Sequence, residues 1–155
     1  MSDTTETLPP PPRLDNQLCF AVHSAALAFQ RFYKPMLGAM GLTYPQYLVL
    51  MVLWQRNPLT VGGIGEQLLL DSGTLTPLLK RLEAMGYVTR RRDSADERQL
   101  IVSLTAQGRA LEEIARAFPV RILEASECTA AELDGLREVL FALRRRLDAL
   151  RDAAL

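Results

Sequence analysis

The stretch from Thr60 to Thr105 constrains the fold of this chain more than any other. Thr60 opens a short helical pattern through Leu69, the turn Leu70-Asp71-Ser72 follows, and a further helix carries Leu75, Leu78, Leu79 and Leu82 to a stop at Gly86. Two short helices joined by a tight turn form a helix-turn-helix. Directly after it, Tyr87 to Arg91 and Gln99 to Leu104 read as two strands around a polar, charged loop. A hairpin behind a helix-turn-helix is a winged helix, so the expectation is a mainly α fold with a small β-hairpin wing.

The flanks are helical. Leu14, Leu18, Val22, Ala25, Phe29 and Phe32 step by four and three, which predicts an amphipathic helix from Asp15 to about Lys34, closed by Pro35 and the glycines Gly38 and Gly41. Thr43 with Gln46 is a capping box opening a second helix to about Gln55, whose all-round apolar character predicts burial. Thr105 caps a helix reaching about Ala125 and bent near Pro119. Thr129 with Glu132 opens the last helix, where Leu133, Leu136, Leu140, Leu143, Leu147 and Leu150 are spaced three and four in alternation. That seam has a coiled-coil period and needs a partner surface. The expected organisation is a flexible tail over 1–13, a helical dimerisation region made of 14–42 and 106–155, and a winged helix-turn-helix DNA-binding domain over 43–105.

Composition removes other classes. Two Cys and one His in 155 residues exclude a disulfide scaffold and leave little for a metal centre, so no metal and no cofactor are expected. The longest apolar run, Tyr47 to Trp54, falls far short of the roughly 20 residues of a membrane span. A cytoplasmic protein with reduced thiols and no membrane contact is expected. The 18 basic and 18 acidic residues cancel, and residues 60–105 are themselves balanced at six and six. Any DNA binding must therefore rest on placed contacts more than on a diffuse positive field.

Such contacts are available. On a wheel at 100° per residue, the leucines of the second short helix cover one side and Gly73, Thr74, Pro77, Lys80, Arg81 and Ala84 the other. Small residues let a backbone approach the major groove, while Ser72, Thr74, Thr76, Lys80 and Arg81 reach bases or phosphates. Arg90, Arg91, Arg92 and Arg98 on the wing suit an adjacent minor groove, with Asp96 placed to orient Arg98.

The cysteines point to redox chemistry. Cys19 lies near the start of the first helix, where unpaired N–H groups and the macrodipole favour a thiolate. Cys128 immediately precedes the capping Thr129 and so sits in a loop between helices. The pair is similar to a peroxide-sensing dyad, one thiol forming a sulfenic acid that a second resolves as a disulfide.

From about Leu14 to Leu150 the chain resembles the MarR family of dimeric winged-helix regulators, and within it the organic hydroperoxide resistance regulators (OhrR). The stretches that carry the resemblance are LDNQLCFAVHSA, GLTYPQYLVLMVLW, EQLLLDSGTLTPLLKRLEAMGYVTRRR and the wing sequence DERQLIVSLT. The resemblance implies that Cys19 is the peroxidatic cysteine, that Tyr33 and Tyr44 hydrogen-bond it in the reduced protein, and that Cys128 is the resolving cysteine of the two-cysteine branch. Where some members carry a further tyrosine, this chain has His23, a residue also placed to stabilise a thiolate when protonated.

Fourteen residues separate Cys19 from Tyr33, about 21 Å along one straight helix, so Tyr33 is expected to serve the partner subunit's thiol. The implied function is a homodimeric repressor that binds a palindromic operator when reduced and leaves it after oxidation by organic hydroperoxides, with half-sites about 34 Å apart. Two rivals are a MarR-type repressor released by a small aromatic ligand and a thiol peroxidase. The chain lacks both a CxxC and the strand–helix alternation that the enzyme would bring.

Overall fold

The computed structural model describes residues 10–153; most of the tail read over 1–13 lies outside them. Helix α1 (Leu18–Gly38) follows a short 3-10 turn at Leu14–Asn16. It begins three residues later than the periodicity predicts, because Gln17 is extended, and it runs past Pro35 instead of stopping there. The ring removes one backbone bond, but burial of Leu37 holds the last turn against the core. Gly41, at φ +69°, closes the helix, with the Leu42 N–H donating to the Leu37 carbonyl at 3.0 Å.

Helix α2 (Tyr44–Gln55) opens on the expected capping box: Thr43 N–H donates to Gln46 Oε1 at 2.9 Å and Gln46 N–H to Thr43 Oγ1 at 3.4 Å. Val49, Leu50 and Leu53 are fully buried, as the all-round apolar pattern requires. A two-residue strand, β1 (Leu59–Thr60), comes next and is too short to show an alternation in sequence. Helix α3 (Val61–Leu68) is capped by the Thr60 hydroxyl and ends on Leu69, which takes the left-handed conformation at φ 58°. Helix α4 (Ser72–Ala84) buries Leu75, Leu79 and Leu82, and Gly86 at φ +79° turns the chain into the wing. Strands β2 (Val88–Arg92) and β3 (Leu100–Leu104) pair antiparallel with Arg90 opposite Val102, and β1 adds to the far side of β3 in the order β1-β3-β2. The predicted hairpin is therefore the larger part of a three-stranded sheet.

The single bent helix expected from Thr105 to Ala125 is two helices, α5 (Ala106–Ala115) and α6 (Phe118–Ser126). Pro119 occupies the first turn of α6, where its missing N–H costs nothing. Helix α7 (Ala130–Ala153) starts on the expected box, Thr129 N–H donating to Glu132 Oε2 at 2.7 Å and Glu132 N–H to Thr129 Oγ1 at 3.2 Å. The chain forms two compact units, one ending at Thr105 and the other starting at Ala106. The first has a dense core of Leu50, Leu53, Ile64, Leu75, Leu82 and Val102. In the second, α7 buries none of its described residues.

Candidate nucleic-acid interface and thiol site

The start of α4 is fixed by Asp71, whose Oδ1 accepts the Thr74 N–H at 2.8 Å and whose Oδ2 accepts the Thr74 hydroxyl at 3.0 Å. The Thr74 amide holds this carboxyl below the ordinary carboxylate range. Thr76 donates its hydroxyl to the Ser72 carbonyl at 2.7 Å. Both threonine protons are thus used inside the helix, leaving these side chains to offer lone pairs and methyl groups. Ser72, Lys80 and Arg81 are exposed on the same helix and supply its donors. Gly65 of α3 explains the tightness of the turn: a Cβ there would stand 2.6 Å from the Leu70 carbonyl oxygen. Neither Asp71 as a cap nor Gly65 as a contact was among the residues singled out from sequence, although an Asp three positions before Thr74 is a legible capping signal.

The wing arginines separate by face. Side chains alternate along β2, so Arg90 shares the side of the buried Val88, while Arg91 projects to the exposed one. Arg90 lies along the strand and not at the tip. Its guanidinium meets Glu83 of α4, Nη2 to Oε2 at 2.7 Å and Nε to Oε2 at 3.0 Å, and its backbone N–H donates to Glu83 Oε1 at 3.1 Å. Glu83, one of the six acidic residues of 60–105, is thus the carboxylate that orients Arg90. Arg92 Nη1 donates to the Glu97 carbonyl at 2.7 Å, closing the loop. Asp96 Oδ1 accepts both the Arg98 N–H at 3.1 Å and Arg98 Nε at 3.2 Å, the pairing expected of it. Arg91 is exposed and is the wing arginine whose guanidinium holds no partner among the described residues.

Cys19 is exposed in the first turn of α1, and His23 is exposed one turn further on. Tyr33 and Tyr44 come together at the opposite end of that helix, their ring centroids 5.4 Å apart. Tyr47 completes the cluster, 5.4 Å from Tyr33 and 6.0 Å from Trp54. Burial, with the neighbouring phenols Tyr47 and Tyr44, pushes the Tyr33 hydroxyl well above the ordinary tyrosine range, so it stays a neutral donor. α1 is continuous, so one chain holds Cys19 about 21 Å from its own Tyr33. Cys128 is half-buried in the loop between α6 and α7, its N–H donating to Ser126 Oγ at 3.3 Å and its Sγ 3.4 Å from the Ser126 carbonyl. Among the described residues no group of three or more His, Cys, Asp or Glu side chains is placed to hold a metal ion, and no helix is long and apolar enough to cross a membrane.

A helix pair at a tight turn, its second helix presenting a small, cationic face beside an arginine-bearing hairpin, defines a winged-helix DNA-binding protein. Residues 31–114 match the family described as transcriptional regulator SarA/Rot. The chain is 45% identical to the organic hydroperoxide resistance transcriptional regulator of Bacillus subtilis, over 87% of this chain and 92% of that one. It is 50% identical to the HTH-type transcriptional regulator TtmR of Methylorubrum extorquens, over 90% of this chain and 71% of that protein. Among solved structures it is similar to AbfR of Staphylococcus epidermidis, at 40% identity and a TM-score of 0.75 over 90% of this chain and 95% of that one. AbfR has also been solved reduced and bound to DNA, at 42% identity, a TM-score of 0.71 and 89% and 96% coverage. The chain belongs to the MarR family of winged-helix transcriptional regulators, in the branch of the organic hydroperoxide resistance regulators.

Proposed function

We propose that this regulator is a cytoplasmic, redox-sensing repressor that binds a palindromic operator as a reduced homodimer and is released when organic hydroperoxides oxidise Cys19. The carrying observation is the placement of Cys19, exposed in the first turn of α1 and about 21 Å from Tyr33 on the same helix. Thiol and phenol then meet only between two chains. Uncovered apolar side chains support that pairing: Leu18, Phe20, Val22 and Phe29 on α1 and Leu136, Leu147 and Leu150 on α7 are exposed in the single chain. In this reading residues 14–42 and 106–155 pair the subunits and 43–105 read DNA. Ser72, Thr74, Thr76, Lys80, Arg81, Arg91 and Arg98 contact the duplex, with Asp96 orienting Arg98.

The chemistry balances simply. The Cys19 thiolate, steadied by Tyr33 and Tyr44 across the interface, attacks the hydroperoxide O–O bond. An S–O bond forms to the terminal oxygen and the O–O bond breaks; the alkoxide takes a proton from solvent and leaves as the alcohol, so sulfur is oxidised to sulfenic acid and the peroxide reduced. The Cys128 thiol then attacks that sulfur, forming a disulfide and releasing water.

The test is a mobility-shift assay on a duplex selected from a random pool, with and without cumene hydroperoxide. Wild type is expected to release DNA on oxidation and Cys19→Ser to stay bound, while Cys128→Ser yields no disulfide-linked dimer on non-reducing electrophoresis. Prompt release of Cys19→Ser overturns the redox reading, and release by a phenolic compound with both thiols blocked establishes the aromatic-ligand alternative.

A further inference from the structure

Strand β2 lies at the edge of the sheet, so the outward N–H groups of its backbone have no strand to bond. Glu83, projecting from the last turn of α4, takes one of them and also grips the side chain of the same residue. One carboxylate therefore makes three bonds to Arg90, 2.7 to 3.1 Å long, from its backbone N–H, its Nε and its Nη2. The Arg90 side chain keeps only 19% of its exposure and that of Glu83 37%, a sheltered setting in which a charge-assisted, forked pair holds its geometry. At 100° per residue Glu83 sits at the border of the leucine stripe, 60° from Lys80, so the carboxylate meets the wing while leaving the Lys80 side of the helix open.

We infer that Glu83 and Arg90 are positioning residues for operator binding: the pair fixes the angle between α4 and the wing, and Arg90 is withdrawn from DNA contact. The inference rests on the DNA-binding reading above and revises the role of one arginine within it. Its sign distinguishes it from simple electrostatics. Removing a negative charge from a DNA-binding domain ordinarily tightens binding. A loosened clamp weakens it, because the wing and helix must then be ordered at the moment of binding.

The experiment measures affinity by fluorescence anisotropy between 50 and 200 mM salt, using a duplex that wild type selects from a random pool. Glu83→Gln and Arg90→Gln are each expected to bind roughly tenfold more weakly, with the slope of log K against log salt unchanged. A lost phosphate contact would flatten that slope by about 0.9. Arg90→Lys, which keeps the charge but not the fork, is expected to match Arg90→Gln. Amide exchange supplies a readout independent of DNA: in Glu83→Gln the Arg90 amide loses protection while the Leu79 amide in the core of α4 keeps its own. Equal or tighter binding by Glu83→Gln, or a flattened slope for Arg90→Gln, overturns the inference. If wild type itself selects no duplex, the DNA-binding reading fails instead, and the amide exchange still decides whether the clamp exists.

Discussion

Tyr33 shows how much of a side chain's role is set by what surrounds it. The phenol is buried among Tyr44 and Tyr47, and its raised pKa has a consequence at alkaline pH. A tyrosine that resists ionisation in the folded state contributes stability in full below its unfolded value of about 10, and that stability is lost as pH rises above it. The wild-type thermal midpoint is therefore expected to fall more steeply above pH 10 than that of Tyr33→Phe, a comparison that calorimetry at successive pH values makes directly. The equal steepness of the two curves would remove Tyr33 from the account. Resemblance to a family was enough to single out Cys19 and Tyr44, which sit in two of the stretches that carry it, and Tyr33 between them. Tyr47 was not legible, since in an apolar helix its spacing marks only core. The four wing arginines look alike in sequence, and only the β2 register decides which face Arg90 takes.

Among the elements, the turn between α3 and α4 is the most tightly specified. Leu70 N–H donates to the Gly65 carbonyl at 3.0 Å, and the Leu70 carbonyl oxygen approaches the other side of the same glycine, leaving no room for a methyl group. Gly65→Ala must displace backbone, since the nearest atom is a carbonyl and not the end of a flexible side chain. Overpacking of this kind costs about 1–3 kcal/mol, measurable as a lower urea midpoint, and DNA affinity is expected to fall with it because α4 is re-aimed. An unchanged midpoint would show that the turn relaxes freely. The capping boxes at Thr43 and Thr129 were readable because both partners lie within four residues of each other. The break between α5 and α6 was not, because a proline is compatible with a bent helix and with a new first turn, and only tertiary packing chooses. β1 was invisible for a different reason: two residues acquire strand character only from β3, more than forty positions away.

At the scale of the whole molecule, the seam of α7 is the clearest message of the sequence and the least satisfied part of the single chain. Leu136 keeps 56% of its exposure and Leu147 59%, so the period of three and four is present without the surface it calls for. The double variant Leu136→Glu, Leu147→Glu is expected to sediment near the 17.3 kDa of one chain and to lose operator binding with it, and wild type is expected to sediment as a dimer. A dimeric double variant would place the contact elsewhere. The balanced charge of the chain also takes a physical form here, because three of the four wing arginines are held by the protein itself. Trp54 is the single tryptophan of the sequence, and it stands edge-on to Tyr47 at one end of the aromatic cluster. Its emission therefore comes from one known place, fed by light absorbed in neighbouring phenols, and gives this end of the aromatic cluster an optical signature that needs no label.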